Sequence, residues 1–285
     1  MLQSDVAMKP SHRTRFAPSP TGFLHLGHVV SACHARDMAG PAGEFLIRIE
    51  DIDRTRCRPA FEQATLEDLD WLGIRTGLPI RRQSDHLADY RATLDALRAR
   101  GLVYPCTCTR TDVMRHGCET APDGSMVYPG ICRDPAHRVE DRPPVWRLDM
   151  GRALDLVGEP GWLEEGSGRV ASRAAAFGDV VLGRRDSGVS YHLCVTHDDA
   201  QQGIDLVTRG MDLFAATSVH RVLQRLCGWP EPAYAHHQLV CDADGRKLSK
   251  RDGAAGIRTL RETGVDPQTI LTDARALYSG GYVNG

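Results

Sequence analysis

Short apolar runs alternate with longer segments of helical periodicity over the first hundred residues. The run TRFAPS (14–19) leads into a helical pattern, and EFLIRIE (44–50) is an extended run of large apolar side chains. Two amphipathic patterns follow, PAFEQATLEDLDWLGI (59–74) and SDHLADYRATLDALRARG (84–101), in which apolar side chains recur every three or four residues. Strands that alternate with helices of this length predict an α/β fold with a parallel sheet and crossover helices.

The pattern changes between Val103 and Arg185, where cysteines, prolines and glycines replace the regular periodicity. We interpret this segment as an inserted subdomain rich in loops. Regular patterning resumes with GVSYHLCVTHDD (188–199), interpreted as an apolar strand that ends in acids, and with SVHRVLQRLCG (218–228), a helix ended by its glycine. The predicted division is the first half of the α/β domain (13–102), the insert (103–185), the second half (186–230), and a basic loop with a short helical tail (231–285).

Composition narrows the class of protein. The 285 residues are 41% hydrophobic and carry a formal net charge of −2. The chain can therefore bury a sizeable core, and a nucleic-acid partner would have to be held by local basic patches. The sequence contains no apolar leader and no run of about 18 apolar residues, which predicts a cytoplasmic protein without a membrane partner. In that compartment the nine cysteines favour metal ligation or burial over disulfide bonds.

The stretch RFAPSPTGFLHLGHVVSA (15–32) is dense in prolines, glycines and histidines. A strand that breaks at Pro18 and then starts a helix near Leu24 points free N–H groups and the positive end of the helix dipole towards the loop, which makes an anion site. His25 and His28 would lie on one face of the first turn, where imidazole N–H groups contact phosphate oxygens. Two capping histidines, or half of a zinc site, are the alternatives for this pair.

A second motif lies far downstream, where GRKLSKRDG (245–253) contains Lys247 and Lys250. On its own it indicates a basic surface loop. HLGH after a first strand and KLSK near the end of the fold together resemble the paired HIGH and KMSKS signatures of the class I aminoacyl-tRNA synthetases. The resemblance implies a Rossmann-type catalytic domain in which His25, His28 and Lys250 bind ATP. It also implies that both lysines neutralise the phosphates as pyrophosphate leaves.

Four stretches narrow the resemblance to the glutamyl branch of that class: RFAPSPTG, IRIEDIDRTR, SYHLCVTHDDAQQGIDLVTRGMDL and KLSKRDGA. The residues that it implies for a glutamate pocket are Arg15, Ala17, Ser19, Glu50, Tyr191 and Arg209. The chemistry of these residue types agrees, because Arg15 or Arg209 can bind a carboxylate through two N–H groups and Glu50 can receive an α-ammonium. Each arginine taken singly is more typical of a surface ion pair.

The insert contains YPCTCTR (104–110) and YPGICR (128–133). Closely spaced thiols in a cytosolic protein favour zinc over a disulfide, and those available here are Cys106, Cys108 and Cys132. Buried cysteines without a metal are the alternative. The residues alone leave the fourth ligand open, since the Cys118 thiol ionises more easily than a phenol. YPGIC, however, resembles the second half of a Cys-x-Cys, Tyr, Cys zinc arrangement found in a shortened subgroup of the glutamyl branch, which implies Tyr128.

Only 35 residues follow Lys250, so we expect no anticodon-binding domain of the kind found in a full glutamyl-tRNA synthetase. The shortened subgroup uses ATP with Mg²⁺ to activate L-glutamate as glutamyl-adenylate, and transfers it to the queuosine base in the anticodon of tRNA(Asp). The resemblance implies this ligase activity here, in a monomer. A truncated glutamyl-tRNA synthetase that charges a tRNA 3′ end is the alternative. A small-molecule nucleotidyltransferase and a non-catalytic binding module are the remaining candidates.

Overall fold

The structure is a computed structural model that describes residues 11–117, 119–240 and 256–279. Its strands, in chain order, are β1 (Arg13–Phe16), β2 (Glu44–Ile49), β3 (Arg81–Arg82), β4 (Val103–Cys106), β5 (Val145–Leu148), β6 (Trp162–Glu164), β7 (Gly168–Val170), β8 (Val181–Gly183), β9 (Leu206–Gly210) and β10 (Ala233–His237). Its α-helices are α1 (Leu26–Ala39), α2 (Pro59–Trp71), α3 (Leu87–Ala99), α4 (Arg110–Arg115), α5 (Met150–Val157), α6 (Tyr191–Gln201), α7 (Thr217–Cys227), α8 (Ile257–Glu262) and α9 (Pro267–Ser279).

Most of the elements predicted from the sequence are confirmed. The runs at 14–19 and 44–50 form β1 and β2, and the amphipathic patterns form α2, α3 and α7. Local chemistry sets several of the ends: Pro59 is the first residue of α2, and α7 stops at Gly228 with φ of 65°, a backbone angle that glycine adopts at little cost. Helix α3 begins at Leu87 after a short 3₁₀ turn, three residues later than the start of the predicted pattern at residue 84.

The central strands are parallel. β1 pairs with β2 and β2 with β3, while β9 and β6 flank β10 in a second sheet. The two sheets meet along β1 and β9, where the Asp205 N–H donates to the Arg13 carbonyl oxygen at 3.2 Å. Strand order therefore reverses at β1, and in parallel α/β sheets the crevice outside the carboxyl ends of the strands at such a point is where ligands bind.

Helices α1 and α9 cover one face of the β1–β2 region. The α1 side chains Val29, Val30 and Cys33 are fully buried there, packed with Ile270 and Leu271 of α9. A second apolar cluster lies under α7 and joins it to α3, α5 and the three-stranded antiparallel sheet β4-β5-β8. The α/β part and the insert therefore share a core. Among the residues that the structure describes, no helix is long and apolar enough to span a bilayer.

One predicted element is wrong. The segment 188–199, interpreted as a strand, forms the end of a loop and most of helix α6. Ser190 is extended and its hydroxyl caps the helix by accepting the Leu193 N–H. Residues 193 to 199 are all buried, so polar positions do not recur with the helical period and the pattern imitates a buried strand.

The segment between β4 and β8 has regular structure among its loops. β4, β5 and β8 make the antiparallel sheet, and Asp149 caps α5 by accepting the Arg152 N–H. The hairpin β6–β7 leaves this sheet and joins the parallel one, where β6 pairs with β10. Through this hairpin the insert lies beside the strands that form the site. The boundaries at 102 and 185 stay predictions.

Candidate active site

A cavity of about 480 Å³ opens at the carboxyl ends of β1, β9 and β10. The predicted site residues that line it are Arg15, Ala17, Ser19, His25, His28, Glu50, Tyr191 and Arg209. Arg15 lies in β1, and Ala17 and Ser19 come directly after that strand. Glu50 follows β2, and Arg209 lies near the end of β9. Parallel strands thus bring together side chains that are far apart in sequence. Lys247 and Lys250 lie outside the described residues.

The two histidines of HLGH cap helix α1 and face the cavity. His25 is the N-cap: its Nδ1 accepts the Gly27 N–H at 3.2 Å, and His28 Nδ1 accepts the His25 N–H at 3.1 Å. Because each Nδ1 is an acceptor, each neutral ring carries its proton on Nε2. The ring centroids are 3.9 Å apart, and a Cβ on Gly27 would lie 3.0 Å from the His25 ring. The two histidines therefore both cap helix α1 and line the cavity.

Arg15 is held by a buried carboxylate. Its Nε and Nη2 donate to the two oxygens of Asp199 at 2.8 and 3.2 Å, and its Nη1 donates to the Thr208 carbonyl at 2.8 Å. Burial acts to raise the pKa of Asp199, but Arg15 and Arg48 outweigh it and lower that pKa. The positive charge of Arg15 is therefore matched by a direct ion pair within the protein.

Arg209 is held differently. It is buried, and its Nε, Nη1 and Nη2 donate to His236 Nε2 at 3.1 Å, His220 Nδ1 at 3.0 Å and Thr217 Oγ1 at 2.6 Å. Burial and then the Arg209 charge hold the pKa of His220 well below its ordinary value, so this ring is neutral. None of the ion pairs among the described residues includes Arg209. A buried cation oriented by neutral groups at the edge of a cavity attracts an anionic ligand.

Glu50 directly follows β2 and lines the same cavity as Arg209. Its Oε1 is buried without a hydrogen-bond partner, and the nearest cation, Arg48 Nη1, is 3.9 Å away. Burial raises the pKa of Glu50 to about 7 although Arg48 and Arg15 act to lower it. Because Glu50 lines the cavity, its carboxylate form offers a site for a cationic group such as an ammonium.

Tyr191, the first residue of α6, lines three cavities. Burial raises the pKa of its phenol to about 12, so it is a hydrogen-bond donor. The second cavity, of about 620 Å³, extends towards the insert and is also lined by His192, Arg147 and Arg184. The third, of about 200 Å³, connects Glu50 to the loop that follows β2.

The residues that orient the two arginines were missed by the sequence analysis: Asp199, Thr217, His220 and His236. A helical reading of 190–201 would have found Asp199, because it follows Tyr191 by eight residues and shares its helix face. His236 and His220 carry no such signal, since their partners come from other strands and helices. Their role is visible only once β9, β10 and α7 are packed together.

Three cysteines of the insert form one cluster. The sulfur atoms of Cys106, Cys108 and Cys132 all lie within 4.8 Å of one another. Tyr128 joins them: its hydroxyl is 3.4 Å from Cys108 Sγ, and the Arg147 guanidinium lies 3.9 Å above its ring. Cys118, the other candidate for a fourth ligand, lies outside the described residues. The structure thus places the predicted tyrosine, with three thiols, in one small buried cluster.

The donor set fits zinc. Ligands 2.3 Å from a tetrahedral zinc ion are about 3.8 Å apart, and the Cys108 and Cys132 sulfurs are 3.5 Å apart. Thiolates and a phenol oxygen are donors that zinc accepts. The Tyr128 hydroxyl, 3.4 Å from Cys108 Sγ, also accepts the Cys132 N–H at 2.8 Å, so it lies beside the three sulfur atoms. Metal binding itself stays a proposal.

Comparison with known proteins places this site in a class. The family described as "tRNA synthetases class I (E and Q), catalytic domain" matches residues 11–279. A glutamate tRNA ligase of Elizabethkingia meningosepticum, solved in complex with its amino acid, and a glutamate-tRNA synthetase of Elizabethkingia anophelis superpose with TM-scores of 0.74 at 25% identity. They cover 93% of this chain, which spans 60% and 61% of theirs. The fold is that of a class I synthetase catalytic domain.

Sequence relatives define the particular family. The Glutamyl-Q tRNA(Asp) synthetase of Rhodobacter capsulatus is 48% identical over 271 residues, which is 90% of this chain and 97% of that protein. That of Nocardia farcinica is 39% identical over 90% of this chain and 81% of its own. The chain therefore belongs to the class I tRNA synthetases, in the family of the glutamyl-Q tRNA(Asp) synthetases.

Proposed function

We propose that this chain activates L-glutamate with ATP and transfers it to the queuosine base in the anticodon of tRNA(Asp). The name shared by its relatives suggests this reaction. The observation that carries it is the presence, in the lining of one cavity, of the guanidinium of Arg209, which has no carboxylate partner among the described residues, and the carboxyl group of Glu50. The carboxylate of an amino acid complements Arg209, and its ammonium complements Glu50.

The amino acid binds through complementary charges. Its ammonium lies against Glu50, and a carboxylate receives N–H groups of Arg209. Arg15 contributes its remaining N–H groups, while Ser19 and the Tyr191 hydroxyl offer neutral hydrogen bonds along the same wall. Because Arg15 is already paired with Asp199, its charge adds less to the attraction of the substrate than that of Arg209.

The first step forms the adenylate. A carboxylate oxygen of glutamate attacks the α-phosphorus of ATP, and the bond from that phosphorus to the bridging oxygen breaks as pyrophosphate leaves. ATP enters as its Mg²⁺ complex, at the end of the cavity lined by the N-terminus of α1. The Nε2–H groups of His25 and His28, with Lys247 and Lys250, stabilise the charge that builds on the phosphates.

The second step transfers glutamate. A hydroxyl of the queuosine cyclopentene diol attacks the activated carbonyl carbon, a proton leaves that hydroxyl, and AMP departs. The cavity that joins Tyr191 to the insert gives a path for the acceptor nucleotide. Positioning and electrostatic stabilisation account for both steps, so we propose no covalent enzyme intermediate. The substrates also place the reaction in the cytoplasm.

Zinc completes the proposal for the insert. Cys106, Cys108, Cys132 and Tyr128 would hold one ion, and its contribution is to fasten the end of β4 to the turn that follows Tyr128. The cluster lies outside the first cavity. Its residues therefore support the wall of the acceptor path rather than take part in either chemical step.

The acceptor experiment tests the function. Purified protein is incubated with ATP, radiolabelled L-glutamate and tRNA(Asp) that contains or lacks queuosine, and the glutamate bound to tRNA is counted. We expect label only on the queuosine-containing tRNA. Prior periodate treatment should abolish labelling at either acceptor, because it destroys both the queuosine diol and the 3′-terminal diol, and so it does not separate them. Nuclease mapping of the labelled nucleotide then decides between them: label at the 3′ end would replace the proposal with a glutamyl-tRNA synthetase activity.

A further inference from the structure

Three neutral acceptors orient Arg209, and one of them, His236, also contacts a carboxylate. His236 Nε2 accepts from Arg209 Nε, while the Nδ1 of the same ring lies 2.9 and 3.0 Å from the two carboxylate oxygens of Glu164. Glu164 also accepts the His236 backbone N–H at 2.8 Å and the Trp162 indole N–H at 3.0 Å. Both side chains are buried, and neither lines the cavity.

The insert supplies this carboxylate. Glu164 is the last residue of β6, the strand that leaves the insert and pairs with β10, with Glu164 opposite Tyr234. A second hydrogen bond, from the Glu165 N–H to the Tyr234 carbonyl at 2.8 Å, fixes that register. The position of Glu164 beside His236 is therefore set by the sheet and not by a flexible loop.

We propose that Glu164 is a positioning residue for Arg209 and acts on glutamate binding through His236. The inference rests on the proposed function, since it assigns Arg209 to a carboxylate of the substrate. It adds a residue of the insert to the machinery that recognises the amino acid.

The physical reason is the tautomer of His236. A carboxylate at Nδ1 requires a proton there, so the neutral ring presents its Nε2 lone pair to the Arg209 N–H. In the other tautomer two N–H groups would face each other, and the guanidinium would turn away. Glu164 also supplies negative charge near Arg209 without touching it. In contrast to Asp199, which occupies Arg15 directly, it leaves the guanidinium available to a substrate carboxylate.

The variant Glu164→Gln tests this role. It keeps the size of the side chain and removes the charge that selects the tautomer. We expect the Kd for L-glutamate, measured by calorimetry, to rise about tenfold, while the Kd for ATP is unchanged. Glu159→Gln is the matched control: Glu159 lies in the same segment, its Oε1 accepts the Ala175 N–H at 2.8 Å, and it does not line the cavity. It should bind glutamate as the native chain does.

A double-mutant cycle shows whether Glu164 acts through His236. His236→Gln keeps an acceptor near the position of Nε2 and removes the ring that Glu164 holds. Glu164→Gln should therefore have no further effect on glutamate binding in the His236→Gln background. An equal effect in both backgrounds would overturn the proposal. A native chain that does not bind L-glutamate at all would instead overturn the proposed function and, with it, this inference.

The tautomer of His236 can be measured in the native chain, with a variant used only to assign the signal. Nitrogen-15 NMR of histidine-labelled protein distinguishes a ring protonated on Nδ1 from one protonated on Nε2, and His236→Gln assigns the signal. We expect His236 to carry its proton on Nδ1. A proton on Nε2 alone would contradict the geometry on which the proposal depends.

Discussion

At the scale of single residues, the burial of Glu50 affects both its proposed role in ammonium binding and the stability of the fold. Its burial makes the ionised form unfavourable, and the nearby Arg48 and Arg15 compensate only in part, which leaves its pKa at about 7. In the unfolded chain the ordinary value is 4.5, so the folded state holds this proton more tightly. The contribution of Glu50 to the free energy of unfolding is therefore full at low pH and is lost as pH rises from about 4.5 to about 7.

The same pKa predicts how glutamate activation depends on pH. Only the carboxylate form of Glu50 attracts an ammonium, so kcat/KM for L-glutamate in ATP–pyrophosphate exchange should rise with pH, with a midpoint near 7. Glu50→Gln should raise the KM for glutamate about 10- to 100-fold, because it removes a hydrogen bond to a charged group, and should abolish this rise.

Glu44→Gln is the control for that experiment. Glu44 lies on the same strand but is exposed, and it pairs with Arg13 outside the cavity. It should keep the native pH profile. A profile of Glu50→Gln that still rises with a midpoint near 7 would mean that another group titrates.

The residues that sequence motifs indicated lie close together in the fold. The motif residues Arg15, Glu50 and Arg209 surround one cavity, although their roles are still predictions. The groups that orient them, such as Asp199 and Glu164, were not found. A side chain whose partner is distant in sequence leaves no local pattern, and the shared edge of a parallel sheet is what brings such partners together.

At the scale of elements, the two surprises lie in α6 and in the β6–β7 hairpin. Complete burial of 193–199 hid the helical period of α6, and with it the helix face that carries Tyr191 and Asp199. The hairpin is short and sits in a segment full of turn residues, where strands of three residues leave little alternation to detect. Amphipathic helices such as α2 and α3 were found because one face of each is exposed.

The cluster of Cys106, Cys108, Cys132 and Tyr128 gives a prediction about the insert as an element. Protein purified without added zinc should contain one zinc ion per chain by elemental analysis, and Cys132→Ser should lose it because three donors no longer hold the ion. Its thermal midpoint should also fall, by about 2–4 °C for each kcal/mol of binding energy lost. Cys227→Ser, at the distant end of α7, should keep both metal and midpoint.

The choice of fourth ligand is tested in the same series. Tyr128→Phe should weaken zinc binding, whereas Cys118→Ser should leave it unchanged. The reverse pattern would transfer the fourth position to Cys118. A native chain that is folded and active without metal would remove zinc from the proposal altogether.

At the scale of the whole molecule, the site is assembled by contacts within the chain. Arg15 is held by Asp199, Arg209 by three acceptors from α7 and β10, and the α1 histidines by their caps. The arginine contacts join β1 to α6 and β9 to α7 and β10, and the histidine caps lie within the first turn of α1. A cavity built in this way does not need a bound nucleic acid to bring its amino-acid groups into place.

We therefore expect glutamate activation to proceed without tRNA. ATP–pyrophosphate exchange with L-glutamate should be observed after ribonuclease treatment, at a rate close to that of the untreated protein, because the groups that bind the amino acid are preorganised. Arg209→Ala should raise the KM for glutamate in this assay, which shows that the tRNA-free reaction uses the same cavity. Exchange that appears only when tRNA is added would mean that the cavity is completed by tRNA binding, and would favour the activity of a glutamyl-tRNA synthetase.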